Sequence, residues 1–195
     1  MLRKIRSLVS DSSFIQIYDN ALSKKECDIL INQFEKSDLV DWGYVAAGYR
    51  PESKKCRQLS CYFSNDDILS NIVEPVLRSY IDKYNKKYSS LSCADSWKYY
   101  DGYSFQKYED ETQGYKAWHA EHSKSRPWRI MAWMFYLNDA KSGTEFMHFP
   151  TINARRGRLV IWPAFWTHTH LSLIHISEPT RRYAIAYAVV CFKKK

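Results

Sequence analysis

The sequence has no Cys-x-x-Cys pair, and its five cysteines (Cys27, Cys56, Cys61, Cys93 and Cys191) are odd in number and irregularly spaced. This argues against a disulfide framework and a cysteine-built zinc site, and it fits a reducing compartment. No apolar run approaches the roughly 18 residues that a membrane helix needs. The basic start, Met1-Leu2-Arg3-Lys4-Ile5-Arg6, leads into no apolar stretch of the kind a signal peptide carries. No internal repeat is visible and no linker divides the chain. The expectation is a soluble, cytoplasmic protein forming one domain over residues 1–195.

What is present supports a packed core. The chain is 45% hydrophobic and 16% aromatic, with 15 Tyr and 7 Trp, enough to bury a core without covalent staples. The formal charge is +8, with basic residues near both ends: Lys4 and Arg6, then Lys193, Lys194 and Lys195. Such a balance serves solubility or attracts an acidic partner, a nucleic acid or an acidic peptide. Net charge alone does not choose between them.

Periodicity divides the chain into a helical first part and a strand-rich second part. Phe14-Ile15-Gln16-Ile17-Tyr18 alternates like a strand. Ser23 with Glu26 three residues later forms a capping box, and Cys27, Leu30, Ile31 and Phe34 recur at helical spacing, so a helix is predicted from Lys24 to about Lys36. Residues 37–56 read as loop, and Arg57–Phe63 as a strand. A second helix opens near Asn65 or Asp66, with an apolar stripe from Ile68 to Tyr84 and Pro75 as a kink or break. Beyond Leu91 come strand-like runs at 97–108, 115–121, 128–137, 145–149, 158–162 and 183–192. Asp101-Gly102, Gln113-Gly114, Asn138-Asp139, Ser142-Gly143 and Arg156-Gly157 mark turns between them. The fold class expected is α+β, mainly β: a jelly roll with N-terminal helices packed on one sheet. Helical support spans about 1–90 and the jelly-roll core about 91–195.

The residues that carry chemistry lie in the second part. His119 and Glu121 are two apart on a strand candidate, so they share a face and offer one nitrogen and one carboxylate oxygen. That is two-thirds of a facial triad of two histidines and a carboxylate, which leaves positions open on iron(II). Gly157 to His170 reads as an apolar strand ending in His168 and His170, either or both of which can face inward.

These pieces, taken in order, resemble the 2-oxoglutarate/iron(II) oxygenases of the prolyl 4-hydroxylase-like branch, closest to compact forms found in phage and marine microbial sequences. The resemblance rests on Phe14–Ser23 with the following helix, Gln106-Lys107-Tyr108 and Trp118-His119-Ala120-Glu121. It continues through Tyr136–Asp139, Ser142–Phe146, Gly157–Pro163, Trp166–His170 and Arg182-Tyr183-Ala184-Ile185. It implies a double-stranded β-helix holding Fe(II), with 2-oxoglutarate as co-substrate and ascorbate as an optional accessory. It further implies hydroxylation of an unactivated C–H, with release of succinate and CO2. By the resemblance His119 and Glu121 are metal ligands, Glu standing where Asp is more usual. His170 is the distal ligand, with His168 as the fallback. Arg182, or else Arg181, takes the far carboxylate of 2-oxoglutarate, a role suited to a bidentate guanidinium, and Tyr108 helps to bind it. Asn138 and Thr144 fall in family motifs with structural roles. The expected substrate is a peptide or small molecule, a peptidyl proline or other amino-acid side chain by analogy. Trp42, Tyr44, Tyr49 and Arg50 are candidates for a loop that covers it. A nucleic-acid-modifying oxygenase and a non-catalytic binding module of the same fold are the alternatives.

One stretch departs from the pattern. Leu171-Ser172-Leu173-Ile174-His175-Ile176-Ser177-Glu178-Pro179-Thr180-Arg181 reads as the translation of a transposon-end adapter used in sequencing libraries; the alternative is a divergent natural loop. Twelve positions separate His170 from Arg182 and eleven separate it from Arg181, slightly more than the resemblance leads one to expect. Added loop length costs little entropy, but the register of the basic residue is open. His175 is not counted as a ligand.

Overall fold

Among the described residues every strand pairing is antiparallel, as short turns between strand-like runs require. A computed structural model describes residues 13–45, 48–93, 97–99, 101–110, 112–140, 143–173 and 182–191, the backbone alone at 98, 173 and 182–191. The strands are β1 (Gln16–Tyr18), β2 (Asp41–Trp42), β3 (Lys54–Lys55), β4 (Arg57–Tyr62), β5 (Trp97–Lys98), β6 (Gly102–Tyr108) and β7 (Gly114–His119). They continue as β8 (Arg129–Tyr136), β9 (Gly143–Phe146), β10 (Ile152–Asn153), β11 (Arg158–Pro163), β12 (His170–Leu173) and β13 (Arg182–Cys191). An eight-stranded sheet runs β1-β11-β8-β13-β6-β4-β2 with β5 paired to β13, and a five-stranded sheet runs β10-β9-β12-β7-β3.

Two long helices are described, α1 (Lys24–Lys36) and α2 (Ile68–Lys87). The capping box at α1 forms: Glu26 N–H donates to Ser23 Oγ at 3.2 Å and Ser23 N–H to Glu26 Oε2 at 2.7 Å. Asp67 caps α2 by accepting from Ser70 N–H at 2.8 Å. Pro75 lies inside α2 and does not split it. The stripe Leu69, Val73, Leu77, Ile81 and Tyr84 is buried along the whole helix, which offsets the lost backbone bond.

The two faces of the large sheet have different partners. Leu59, Tyr103, Phe105, Trp133, Phe135 and Ile161 pack with the apolar stripes of both helices. Residues one step along the same strands, Ala132, Met134, Tyr136, Val160 and Trp162, pack with Phe146 and Ile152 of the small sheet. β8 and β11 are therefore covered on both sides, and this explains why their sequences are apolar without alternation.

The structure corrects the strand reading at Gly157–His170 and adds short strands elsewhere. The segment read as one strand from Gly157 to His170 is broken. β11 ends at Pro163, a 3-10 turn covers Trp166–His168, and His170 starts β12 in the other sheet. Pro163 has no N–H to extend a ladder, so the chain leaves the sheet there. The stretch 37–56 contributes β2 and β3, and Ile152–Asn153 adds β10, pairs too short for periodicity to show. The strands read at Phe14–Tyr18 and Arg57–Phe63 form as β1 and β4 and join the large sheet.

Gly157 ties these parts together. Its N–H donates to Tyr136 O at 2.8 Å and its carbonyl accepts from Leu22 N–H at 3.1 Å, just ahead of α1. Its φ is +79°, and a Cβ there would clash with the Leu22 carbonyl oxygen. Gly157→Ala is expected to lower stability by about 2 kcal/mol or more, read as a lower urea midpoint at unchanged m-value in chelator-treated protein.

Candidate metal centre

The centre is built at the join of β7 and β12. These strands are neighbours in the small sheet, and His170 is the register partner of His119. The register shifts by the next pair, Ser172 with Tyr115. The extra residues of β7 turn to β3 instead: Lys116 N–H and Ala117 N–H both donate to Ser53 O, at 2.8 and 3.4 Å. Glu121 follows two residues after the end of β7, in a bend rather than on the strand as predicted.

His119, Glu121 and His170 come together, with one ligand atom from each lying within 4.8 Å of the others. Both imidazoles are fixed in the same way. Nδ1 of His119 lies 2.9 Å from Ala117 O, and Nδ1 of His170 lies 2.9 Å from His168 O. A carbonyl can only accept, so each Nδ1 carries a proton and Nε2 is the nitrogen turned to the cluster. His119 Nε2 stands 3.7 Å from Glu121 Oε1. The other carboxylate oxygen, Oε2, accepts a hydrogen bond from Arg129 Nη1 at the start of β8. Tyr115 stacks on His119 with centroids 3.6 Å apart, and Trp162 stands edge-on to His170 at 5.1 Å.

The electrostatics favour the forms that bind metal. Burial pushes His170 down to about 4, and neighbouring His119 adds to this while Glu121 opposes it. For Glu121 burial acts to raise the pKa. The hydrogen bond and charge of His119, with Arg129 and His170, outweigh it and hold the carboxyl well below its ordinary range. Two imidazoles and one carboxylate form a donor set that fits iron(II) and other divalent first-row metals and leaves positions open.

Of the other predicted residues, His168 stands apart from the cluster. His168 is buried in the 3-10 turn with both nitrogens engaged, Nε2 2.7 Å from Ser13 O and Nδ1 2.9 Å from Thr167 Oγ1. Burial lowers its pKa, opposed by the Ser13 bond. It pins the segment ahead of β1 and stands outside the cluster. Tyr108 is buried at the end of β6 and donates to Gln106 Oε1 at 2.6 Å. Arg182 opens β13 at the register position opposite Tyr108. Arg181, His175 and the segment 174–181 lie outside the described residues. The first part of the adapter-like stretch forms β12, where Leu171 and Ser172 are buried and pair with Glu145 and Thr144. Thr144 is buried against Tyr136, their hydroxyls 2.7 Å apart, as a structural role requires.

A cavity of about 460 Å³ adjoins the cluster. Lys54, Gln58, Gln106, Tyr115, Arg126 and Arg129 help to line it. Sequence reasoning named Gln106 as part of a family motif and gave none of the six a role at the site. Arg129 gave one faint signal, a charged residue opening an otherwise apolar run. Tyr44 and Val45 also reach the cavity, and Tyr44 and Tyr49 contact each other with centroids 6.1 Å apart.

The chain has a prolyl hydroxylase-like fold. It is similar to a prolyl hydroxylase from Trichoplax adhaerens in complex with a peptide fragment of the hypoxia inducible factor oxygen degradation domain (TM-score 0.72, 14% identity, 92% of this chain and 84% of that one). It is also similar to the viral collagen prolyl hydroxylase of Paramecium Bursaria Chlorella virus-1 in its 2OG complex (TM-score 0.69, 17% identity, 93% and 98%). A third likeness is to a Pseudomonas putida prolyl-4-hydroxylase (TM-score 0.67, 12% identity, 91% and 92%). No family model and no curated protein matches the sequence.

The depressed His170 pKa has a consequence for stability. Between its ordinary 6.5 and about 4 the unfolded chain takes up a proton that the folded protein refuses. Stability is therefore present above pH 6.5 and lost as pH falls through this window, by on the order of 3 kcal/mol. In chelator-treated protein His170→Asn is expected to flatten this part of the urea-unfolding profile against pH.

Proposed function

We propose that the protein is a 2-oxoglutarate- and O2-dependent iron(II) oxygenase that hydroxylates an unactivated C–H of an amino-acid side chain. The two sheets would then be the halves of a double-stranded β-helix within a single domain spanning residues 1–195. The observation that carries the reading is the cluster itself: two histidines with both Nδ1 atoms anchored, and a carboxylate with one oxygen occupied, converge within 4.8 Å. The prolyl hydroxylase-like fold supports it. Peptidyl proline is the default substrate, supported by the neighbour that binds a peptide fragment.

His119, Glu121 and His170 would hold the iron. With 2-oxoglutarate and O2, iron(II) supplies an oxidant that hydroxylates C–H bonds while the co-substrate leaves as succinate and CO2, and ascorbate would serve as an accessory. The protein's own part is to fix the donors and exclude water. Backbone carbonyls hold each imidazole in one tautomer and orientation. Arg129 engages Oε2 of Glu121, so the longer Glu arm presents Oε1 alone. Tyr115, Trp162 and Phe146 wall the imidazoles with apolar rings. Arg182 would take the far carboxylate of 2-oxoglutarate, with Tyr108 at the same register position as its support.

A nucleic-acid substrate is the second reading, favoured by Lys54, Arg126 and Arg129 around the centre. Against it, Arg129 is committed to Glu121 and Lys54 is buried. Trp42 is half-buried, with Arg57 5.2 Å from its ring rather than a free face for a base.

Anaerobic addition of iron(II) and 2-oxoglutarate is expected to give a metal-to-ligand charge-transfer band, and its absence from purified protein would sink the enzyme reading. His119→Ala should abolish the band; a surviving band would mean that the ligand assignment is wrong. Arg182→Ala is expected to weaken 2-oxoglutarate binding about tenfold or more, since it removes a bidentate charged contact. Replacing residues 171–181 with a relative's loop should raise the rate of succinate release, and an unchanged rate would show the segment to be harmless.

A further inference from the structure

The cavity holds a charge that this chemistry leaves unused. Lys54 opens β3 and is 5% exposed. Its register partner is Tyr115, the residue stacked on His119, and Lys54 Nζ stands 5.7 Å from the Tyr115 ring centroid. Its hydrogen bond, 2.6 Å to Gln58 Oε1 on β4, goes to a neutral amide. Among the described residues no carboxylate pairs with it. Burial pushes its pKa down; Cys56 and Glu121 oppose this, and the Arg126 guanidinium adds to it. Gly43 makes room for the side chain: a Cβ there would come within 3.2 Å of Lys54 Cε. A buried ammonium with only an amide beside it is costly until an anion meets it.

The charge of the whole cavity points the same way. Glu121 is the one carboxylate among the described residues lining it, against Lys54, Arg126 and Arg129. A divalent metal adds more positive charge, and a dianionic co-substrate offsets only part of the total. Lys54 lies in the small sheet beside β7, whereas the register position proposed for the co-substrate's far carboxylate is on β13 and β6 of the large sheet. Lys54 and the register position proposed for the co-substrate thus belong to different sheets, linked across the cavity through Gln58 and its register partner Gln106, which accepts from Tyr108.

We propose that Lys54, with Gln58 beside it, is a subsite for a carboxylate of the substrate itself. The substrate is then an acid: a free amino acid, or a peptide with an acidic side chain next to the residue hydroxylated. This rests on the oxygenase reading and narrows its substrate class. A nucleic acid fits less well, because a phosphate backbone is tracked by exposed cations in a groove and Lys54 is sunk in a closed wall.

Calorimetry on the 195-residue chain tests this, both metal-free and anaerobically with iron(II) and 2-oxoglutarate. The probes are L-proline against L-prolinamide, proline tetrapeptides carrying Glu against the same peptides carrying Gln, and a single-stranded oligonucleotide. The expected result is at least tenfold tighter binding of one acid than of its amide, a preference that collapses in Lys54→Met. Which pair shows it separates the free amino acid from the peptide. No preference, a preference that survives in Lys54→Met, or tighter binding of the oligonucleotide than of any acid overturns the proposal. The charge-transfer titration of Lys54→Met is expected to give the wild-type affinity for 2-oxoglutarate. A tenfold loss there would assign Lys54 to the co-substrate and overturn the proposal as well. Absence of the band in wild-type protein would count against the oxygenase reading alone, and the metal-free titration would still decide the carboxylate subsite.

Discussion

The pairing of β7 with β12 sets His170 opposite His119, and the rest of the centre depends on that register. Side chains alternate along a strand, so a slip of one residue would turn His170 away from His119. The register is defended from both sides. β12 also pairs with β9, and His170 packs against Phe146 and Trp162. Beyond the histidine pair the register shifts, and the displaced amides of Lys116 and Ala117 turn to Ser53 on the way into β3. One local irregularity thus shapes the candidate centre and brings Lys54 alongside it.

The large sheet supplies the rigidity. Its inner strands are covered by helices on one face and by the small sheet on the other. Arg129 and Trp162 reach the centre from β8 and β11, so the groups that hold Glu121 and wall His170 stand on the most buried strands. Side chains fixed in this way keep donors in place before any metal arrives, as a site with open coordination positions requires.

Much of this was legible beforehand. The capping box and 3.6-residue periodicity placed α1 over Lys24–Lys36, because local hydrogen bonds and one apolar face decide a helix end. His119 and Glu121 were paired by spacing together with the resemblance, although Glu121 lies in a bend just past the strand that the spacing assumed. Other parts were hidden. The run from Gly157 to His170 reads as one strand because apolar content does not show that a chain crosses between sheets. β2, β3 and β10 are too short to carry a period. Both His168 and His170 are buried, and they differ only in what lies opposite: a Ser13 carbonyl for one, His119 for the other.

The sequence by itself determined the helices, the antiparallel character of the strands, and the residue types that can ligate a metal, since these follow from short-range periodicity and side-chain chemistry. Tertiary structure decided which histidine joins His119 and Glu121, that Arg129 holds the carboxylate, and that Lys54 lies buried on the cavity wall. Each of these is a contact between segments distant in sequence, set by sheet register and packing that no local pattern encodes.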